Sequence, residues 1–320
     1  MALVADALRG SISPGIYGLT GRLDTSLNEW LSDGEFQFYV EVNDGARFFV
    51  DFADDKLLRA IAADSNRLAM SSYETIISIL PDPKLSRSTS WLLIKVYYAA
   101  FFAAHSLLRM FKKPCFFLEG SLAKKLGATA EIYGMLRTHS IESGTFSSSI
   151  NFETKQILFR KRNNRGGSHA AVWHELSLLI DELGSDVIAR SAPNSRDRQV
   201  VLKLDNLKKS LMLSGNGFSW LTDTRNLVNY EFRYGSWYPY KGVSKSAVDG
   251  FYSSARLWQT DPMSLDVKIK SQNDLKGFIR CCCFVIGVMR EMLSDVNERC
   301  VGGRSFVEFG PDSILAHVAA

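Results

Sequence analysis

The run WLLIKVYYAAFFAAHSLLRMF, from Trp91 to Phe111, constrains this chain more than any other segment. It is long enough to cross a bilayer as a helix, but Lys95, His105 and Arg109 interrupt it, and each is costly in hydrocarbon. The expectation is therefore a buried core helix in a soluble, mainly helical protein. Hydrophobic residues make up 46% of the 320 residues and charged residues 22%, ordinary globular values that allow a sizeable core. The formal net charge of +4 permits a polyanionic partner without requiring one.

Three of the five cysteines are consecutive, Cys281 to Cys283, which is incompatible with the spaced framework of a disulfide-stapled secreted domain. The N-terminus has no basic stretch ahead of its apolar residues, so it makes a poor signal peptide, and the cytoplasm is the expected location. No membrane association is expected.

Residues 35–52 alternate apolar and polar around Asn43-Asp44-Gly45, a pattern that predicts a β-hairpin. A helix is expected from Asp55 to Leu80, stopped at Pro81-Asp82-Pro83, so residues 1–85 read as a small N-terminal α/β region. Residues 86–305 read as a helical bundle with an inserted, more polar segment at about 116–200, followed by a tail at 306–320. Within the bundle, helices are expected near Ala170 to Leu183, Val201 to Leu213, Trp220 to Tyr230 and Leu275 to Val296, from apolar residues at helical spacing. The inserted segment carries Gly120, Gly127, Gly134, Gly144 and the Ser-rich stretch from Gly144 to Ser149, and the pair Gly166-Gly167 favours a loop.

Within the first long helix, Tyr97-Tyr98-Ala99-Ala100-Phe101-Phe102-Ala103-Ala104-His105-Ser106-Leu107-Leu108 resembles the first bundle helix of HEPN domains, which typically reads Tyr-Tyr-Ala-x-Phe-x-Ala-Ala-x-x-Leu-Leu. A second stretch, Thr224 to Glu231, resembles that family's Arg-polar-x-x-x-His segment, with Arg225 and Asn226 in the first positions and Tyr230 where the family has histidine. The resemblance implies a HEPN-like bundle and metal-independent endoribonuclease chemistry, in which a guanidinium grips the scissile phosphate and an imidazole moves a proton. It also implies a homodimer, RNA as partner, no cofactor, and a role as the effector of a prokaryotic toxin–antitoxin or antiviral defence system, with an antitoxin or other protein partner. A tyrosine is a poor general base near neutral pH. Arg225 has a plainer reading as a helix anchor paired with Asp223 or Glu231.

A rival source of the histidine lies in the insertion, where Arg162 and Asn163 precede His169 in the chain's densest basic cluster, with Arg160, Lys161 and Arg165. The candidate catalytic set is therefore Arg225, Asn226, Tyr230 and His169, and the candidate nucleic-acid contacts are Arg160, Lys161, Arg162 and Arg165. No spacing of His, Cys, Asp or Glu suggests a metal site, and no phosphate-binding loop, dinucleotide fingerprint or nucleophile elbow is present. The aromatics from Tyr234 to Tyr240 either stack a base or cover a bundle end. The alternative to a ribonuclease is a non-catalytic docking subunit built on the same bundle.

Overall fold

The computed structural model describes residues 3–53, 55–79, 89–138, 140–162, 167–190, 194–215, 217–237, 245–300, 310–311 and 313–315. It is mainly α-helical, with a small antiparallel sheet. The elements are α1 (Leu3–Leu8), α2 (Leu27–Asp33), β1 (Arg47–Asp51), α3 (Lys56–Ile77), α4 (Ser90–Met110), β2 (Cys115–Leu118), α5 (Gly120–Ile132), β3 (Gly144–Asn151), β4 (Gln156–Lys161), α6 (Gly167–Ile188), α7 (Ser195–Leu211), α8 (Trp220–Asn229), α9 (Lys245–Ala255) and α10 (Leu275–Arg299).

The helix α4 is the expected apolar run, shifted by one residue at each end. Ala99, Ala100, Ala103 and Ala104 are fully buried, and these small side chains let α3 and α10 approach its backbone closely. It ends where Lys112 turns left-handed at φ 65°, so that the Lys113 amide donates back to the Leu108 carbonyl, with Pro114 beyond. Among the described residues it is the one helix long and apolar enough to cross a membrane, and it is mostly buried inside protein, as the core helix of a soluble protein is.

Two apolar cores result. The larger is built on α4 and α10 and takes in α1, α3 and α6 to α9. The smaller lies between the sheet and α2, α5 and the start of α3, where Phe48 stacks on Phe159 with centroids 4.9 Å apart. Capping boxes start two of the helices, Ser26 with Glu29 at α2 and Asn194 with Asp197 at α7.

The expected 35–52 hairpin does not form as a ladder. Its second arm is β1, but β1 pairs with β4, with Phe48 opposite Phe159 and Val50 opposite Ile157. The segment before it touches it only at two isolated bridges, Gln37 with Asp51 and, at the turn, Asp44 with Arg47, while Val42 instead exchanges hydrogen bonds with Met135 and Arg137. The sheet runs β1-β4-β3-β2, so a strand from the N-terminal region and strands from the expected insertion share one sheet. The expected boundary at Pro81-Asp82-Pro83 lies outside the described residues, but α3 packs along α4, tying the N-terminal region into the bundle. The Ser-rich stretch at 144–149 belongs to β3. Its buried hydroxyls are satisfied there: Ser148 donates to the Pro114 carbonyl and Ser147 accepts from Arg162 Nε.

Candidate functional site

The site is built where α4, α6 and α8 meet, and the helical repeat decides which side chains reach it. On α4, Tyr97 and Phe101 are one turn apart; on α6, His169 and Trp173 are one turn apart; on α8, Thr222 and Arg225 share a face. His169 lies in the first turn of α6, and the glycine that suggested a loop, Gly167, opens that helix with φ 67°.

Tyr97 is the centre. Its hydroxyl lies 2.9 Å from His169 Nδ1 and 3.1 Å from Thr222 Oγ1, and it accepts a hydrogen bond of 3.2 Å from Trp173 Nε1. The His169 ring packs on Phe101 at 4.3 Å between centroids. Tyr98 meets the imidazole edge to face at 5.8 Å.

Arg225 approaches the same tyrosine from α8. Its guanidinium carbon lies 5.2 Å from the Tyr97 ring centre, 5.6 Å from that of Tyr98 and 6.0 Å from that of Tyr230. The side chain is only 6% exposed, and its Nε makes no hydrogen bond. The two carboxylates expected to anchor it are otherwise engaged. Asp223 accepts from Ser219 Oγ at 2.7 Å, and Glu231 pairs with Arg233 at 2.8 Å. Among the described residues Arg225 therefore has aromatic faces around it and no carboxylate, an arrangement that leaves its charge to be neutralised by an incoming anion.

Burial, and next the Arg225 charge, push the His169 imidazole down to about 4, so it is neutral near pH 7. Burial pushes the Tyr97 phenol up to about 12, which keeps it a neutral hydrogen-bonding partner. Nearby, His105 packs edge-on against Phe101 at 4.7 Å, and burial followed by the Arg109 charge holds it well below the usual imidazole range. Both histidines are held neutral by the fold, so below about pH 6.5 the unfolded chain binds more protons than the native one. Their contribution to stability is complete above 6.5 and falls with pH below it, that of His169 being lost as pH falls through about 4. For His169 alone this is roughly 2 kcal/mol after allowance for its partial exposure. Denaturant midpoints measured across this window should fall with pH, and His169→Gln should flatten the fall; an unchanged slope would place the effect elsewhere.

The other sequence candidates are placed differently. Asn226 is half-buried on α8 and, among the described residues, joins none of the hydrogen bonds or ring contacts around Tyr97. Tyr230 caps α8 and is 67% exposed, beside Arg225 rather than beside His169. In the basic cluster, Arg160 is exposed on β4, but Lys161 pairs with Glu142 at 2.6 Å, and Arg162 pairs with the buried Glu175 while donating to Ser147. Two of the four expected nucleic-acid contacts are thus compensated by carboxylates, and Arg165 lies outside the described residues. His169 and Arg225 meet within one chain, so a dimer interface is not needed to join them.

Tyr97 was legible as part of a motif, while its partners Thr222 and Trp173 were missed. The available signal was helical spacing, since each lies one turn from a residue already singled out. Among the described residues no three His, Cys, Asp or Glu side chains gather as metal ligands, and the free cysteines Cys115 and Cys281 to Cys283 are buried with their thiols pushed up by desolvation. No family model, no curated protein and no solved structure matches the chain.

Proposed function

We propose that this chain is a HEPN-like, RNA-binding endoribonuclease that works without a metal, a cytoplasmic effector of the toxin–antitoxin or antiviral kind. The observation that carries the reading is that His169, from the inserted segment, and Arg225, from a late bundle helix, both converge on Tyr97 of the motif helix. A neutral imidazole and an uncompensated guanidinium around one oriented hydroxyl are the parts that phosphoryl transfer from RNA requires.

When His169 carries its proton on Nδ1 and donates it to the Tyr97 oxygen, Tyr97 donates onward to Thr222 and accepts from Trp173. All of these polar atoms are then satisfied, and Nε2 is left with a free lone pair. A ribose 2′-hydroxyl would give its proton to Nε2 as its oxygen bonds to phosphorus, and the bond from phosphorus to the 5′-oxygen would break. Water protonates the departing 5′-oxygen, the hydroxide left behind takes the proton from Nε2 and so restores the neutral imidazole, and the other product carries a 2′,3′-cyclic phosphate. Arg225 would bind the phosphoryl oxygens as negative charge accumulates on them. Tyr97 is a positioning residue here, since it acts through the imidazole.

The test is RNA degradation in EDTA by wild type, His169→Ala and Arg225→Ala. Cleavage by wild type alone, leaving cyclic phosphate ends, is expected. Equal cleavage by all three would remove the site, and no cleavage by any would favour the docking-subunit reading.

A further inference from the structure

Beside Arg225, at the end of α8, the chain exposes a group of aromatic rings. Tyr230 is 67% exposed, Phe232 66% and Trp91 56%. Trp237 sits between two of them, edge to face with Phe232 at 6.2 Å and with Trp91 at 5.6 Å. A scattered exposed aromatic needs no explanation, but the contiguous rings of Trp91, Trp237 and Phe232, with Tyr230 two residues before Phe232, do.

The group is held rigidly. Trp237 Nε1 donates to the Val228 carbonyl at 2.6 Å, and Ser90 Oγ donates to the buried Ser236 Oγ at 2.8 Å, pinning the segment to the start of α4. Phe232 and Tyr234 both adopt left-handed backbone, with φ 52° and 66°, a conformation of order 1 kcal/mol unfavourable for such side chains, which persists only where the surroundings enforce it. The Trp237 ring and the backbone that carries Phe232 are therefore held before anything binds, which lowers the ordering cost of binding.

We infer that Tyr230, Phe232 and Trp237 form a stacking platform for unpaired bases of a single-stranded nucleic acid whose backbone phosphate reaches Arg225. The occupant follows from what borders the rings. Aromatic faces alone suit many ligands, but here Tyr230, two residues before Phe232, lies 6.0 Å from the guanidinium of Arg225, a residue only 6% exposed that lacks a carboxylate among the described residues, so the ligand combines a flat π-surface with an anion. Unpaired nucleotides do so at every residue, whereas bases inside a duplex already stack on one another. The inference rests on the proposed ribonuclease reading for the role of Arg225, and it adds how the substrate is held beside the reacting phosphate.

The test uses a single-stranded oligodeoxyadenylate, which lacks the 2′-hydroxyl and so resists cleavage. Its comparators are its blunt duplex with oligothymidylate and an abasic phosphodiester of equal length, with affinity read by fluorescence anisotropy. Phe232→Ala should weaken single-strand binding at least about fivefold, Phe232→Tyr should restore it, and abasic binding should not respond. Because Phe232 is exposed, both variants should fold, which circular dichroism checks. An equal loss for the abasic strand, no restoration by tyrosine, or no preference over duplex overturns the platform while leaving cleavage through His169 and Arg225 standing. Platform-dependent binding without any cleavage in EDTA keeps the platform and overturns the ribonuclease reading. A self-association that Phe232→Ala abolishes, with oligonucleotide binding unchanged, would make this face a protein interface and overturn the inference.

Discussion

Replacing Arg225 with lysine should lower RNA cleavage in EDTA by about 10²–10³-fold, although charge is conserved. The guanidinium is planar, lies 5.2 Å and 5.6 Å from the Tyr97 and Tyr98 ring centres, and presents N–H groups in a fork that matches two phosphoryl oxygens. An ammonium at the end of a flexible stem offers one point of charge, stacks less well, and sheds its proton more readily where it is buried. Initial rates, alongside circular dichroism to show that α8 still forms, measure the effect. A rate within a few-fold of wild type would mean that Arg225 serves packing and that another cation meets the phosphate.

Trp173→Ala should cost about 3–5 kcal/mol of folding stability, the largest loss expected from any substitution at the site. The indole is fully buried on α6, 6.1 Å from the Tyr97 ring and 6.5 Å from Phe101, and it is one of the largest side chains in the core. Removing it leaves a cavity between α4 and α6 and deprives the Tyr97 hydroxyl of a donor. Trp173→Phe refills most of the volume but not the N–H, so it isolates the hydrogen bond, about 1 kcal/mol. Chemical denaturation separates the two variants. An alanine variant that loses under about 1 kcal/mol would show that the α4–α6 contact is not tightly packed.

The sequence disclosed elements whose signal is local. Helix α4 could be read to within a residue because its apolar run is long and dense enough to exclude other structure, and α10 from its first residue to within three of its last because its apolar residues recur at helical spacing. Partners distant in sequence were not legible. Alternation marks β1 as a strand but does not say that Phe48 faces Phe159 rather than the arm preceding it. The serines of β3 gave no strand signal because their hydroxyls, which look solvent-seeking in sequence, find Pro114 and Arg162 only in the fold. At the site, Arg225 and His169 were both singled out, one from a motif and one from a charge cluster. Nothing in either segment indicated that Tyr97 joins them, because three helices must pack before that contact exists. The partners of the basic cluster were not legible either: the carboxylates that compensate Lys161 and Arg162 come from other segments, Glu142 and Glu175.

The claim that His169 and Arg225 serve one phosphate is tested most directly by adding the double alanine variant to the metal-free cleavage assay. Residues that act as a unit are not additive, so once either is gone, removing the other should cost little more, and the double variant should cleave no more slowly than the weaker single. Independent losses that multiply, or single variants that cleave at the wild-type rate, would contradict the shared site.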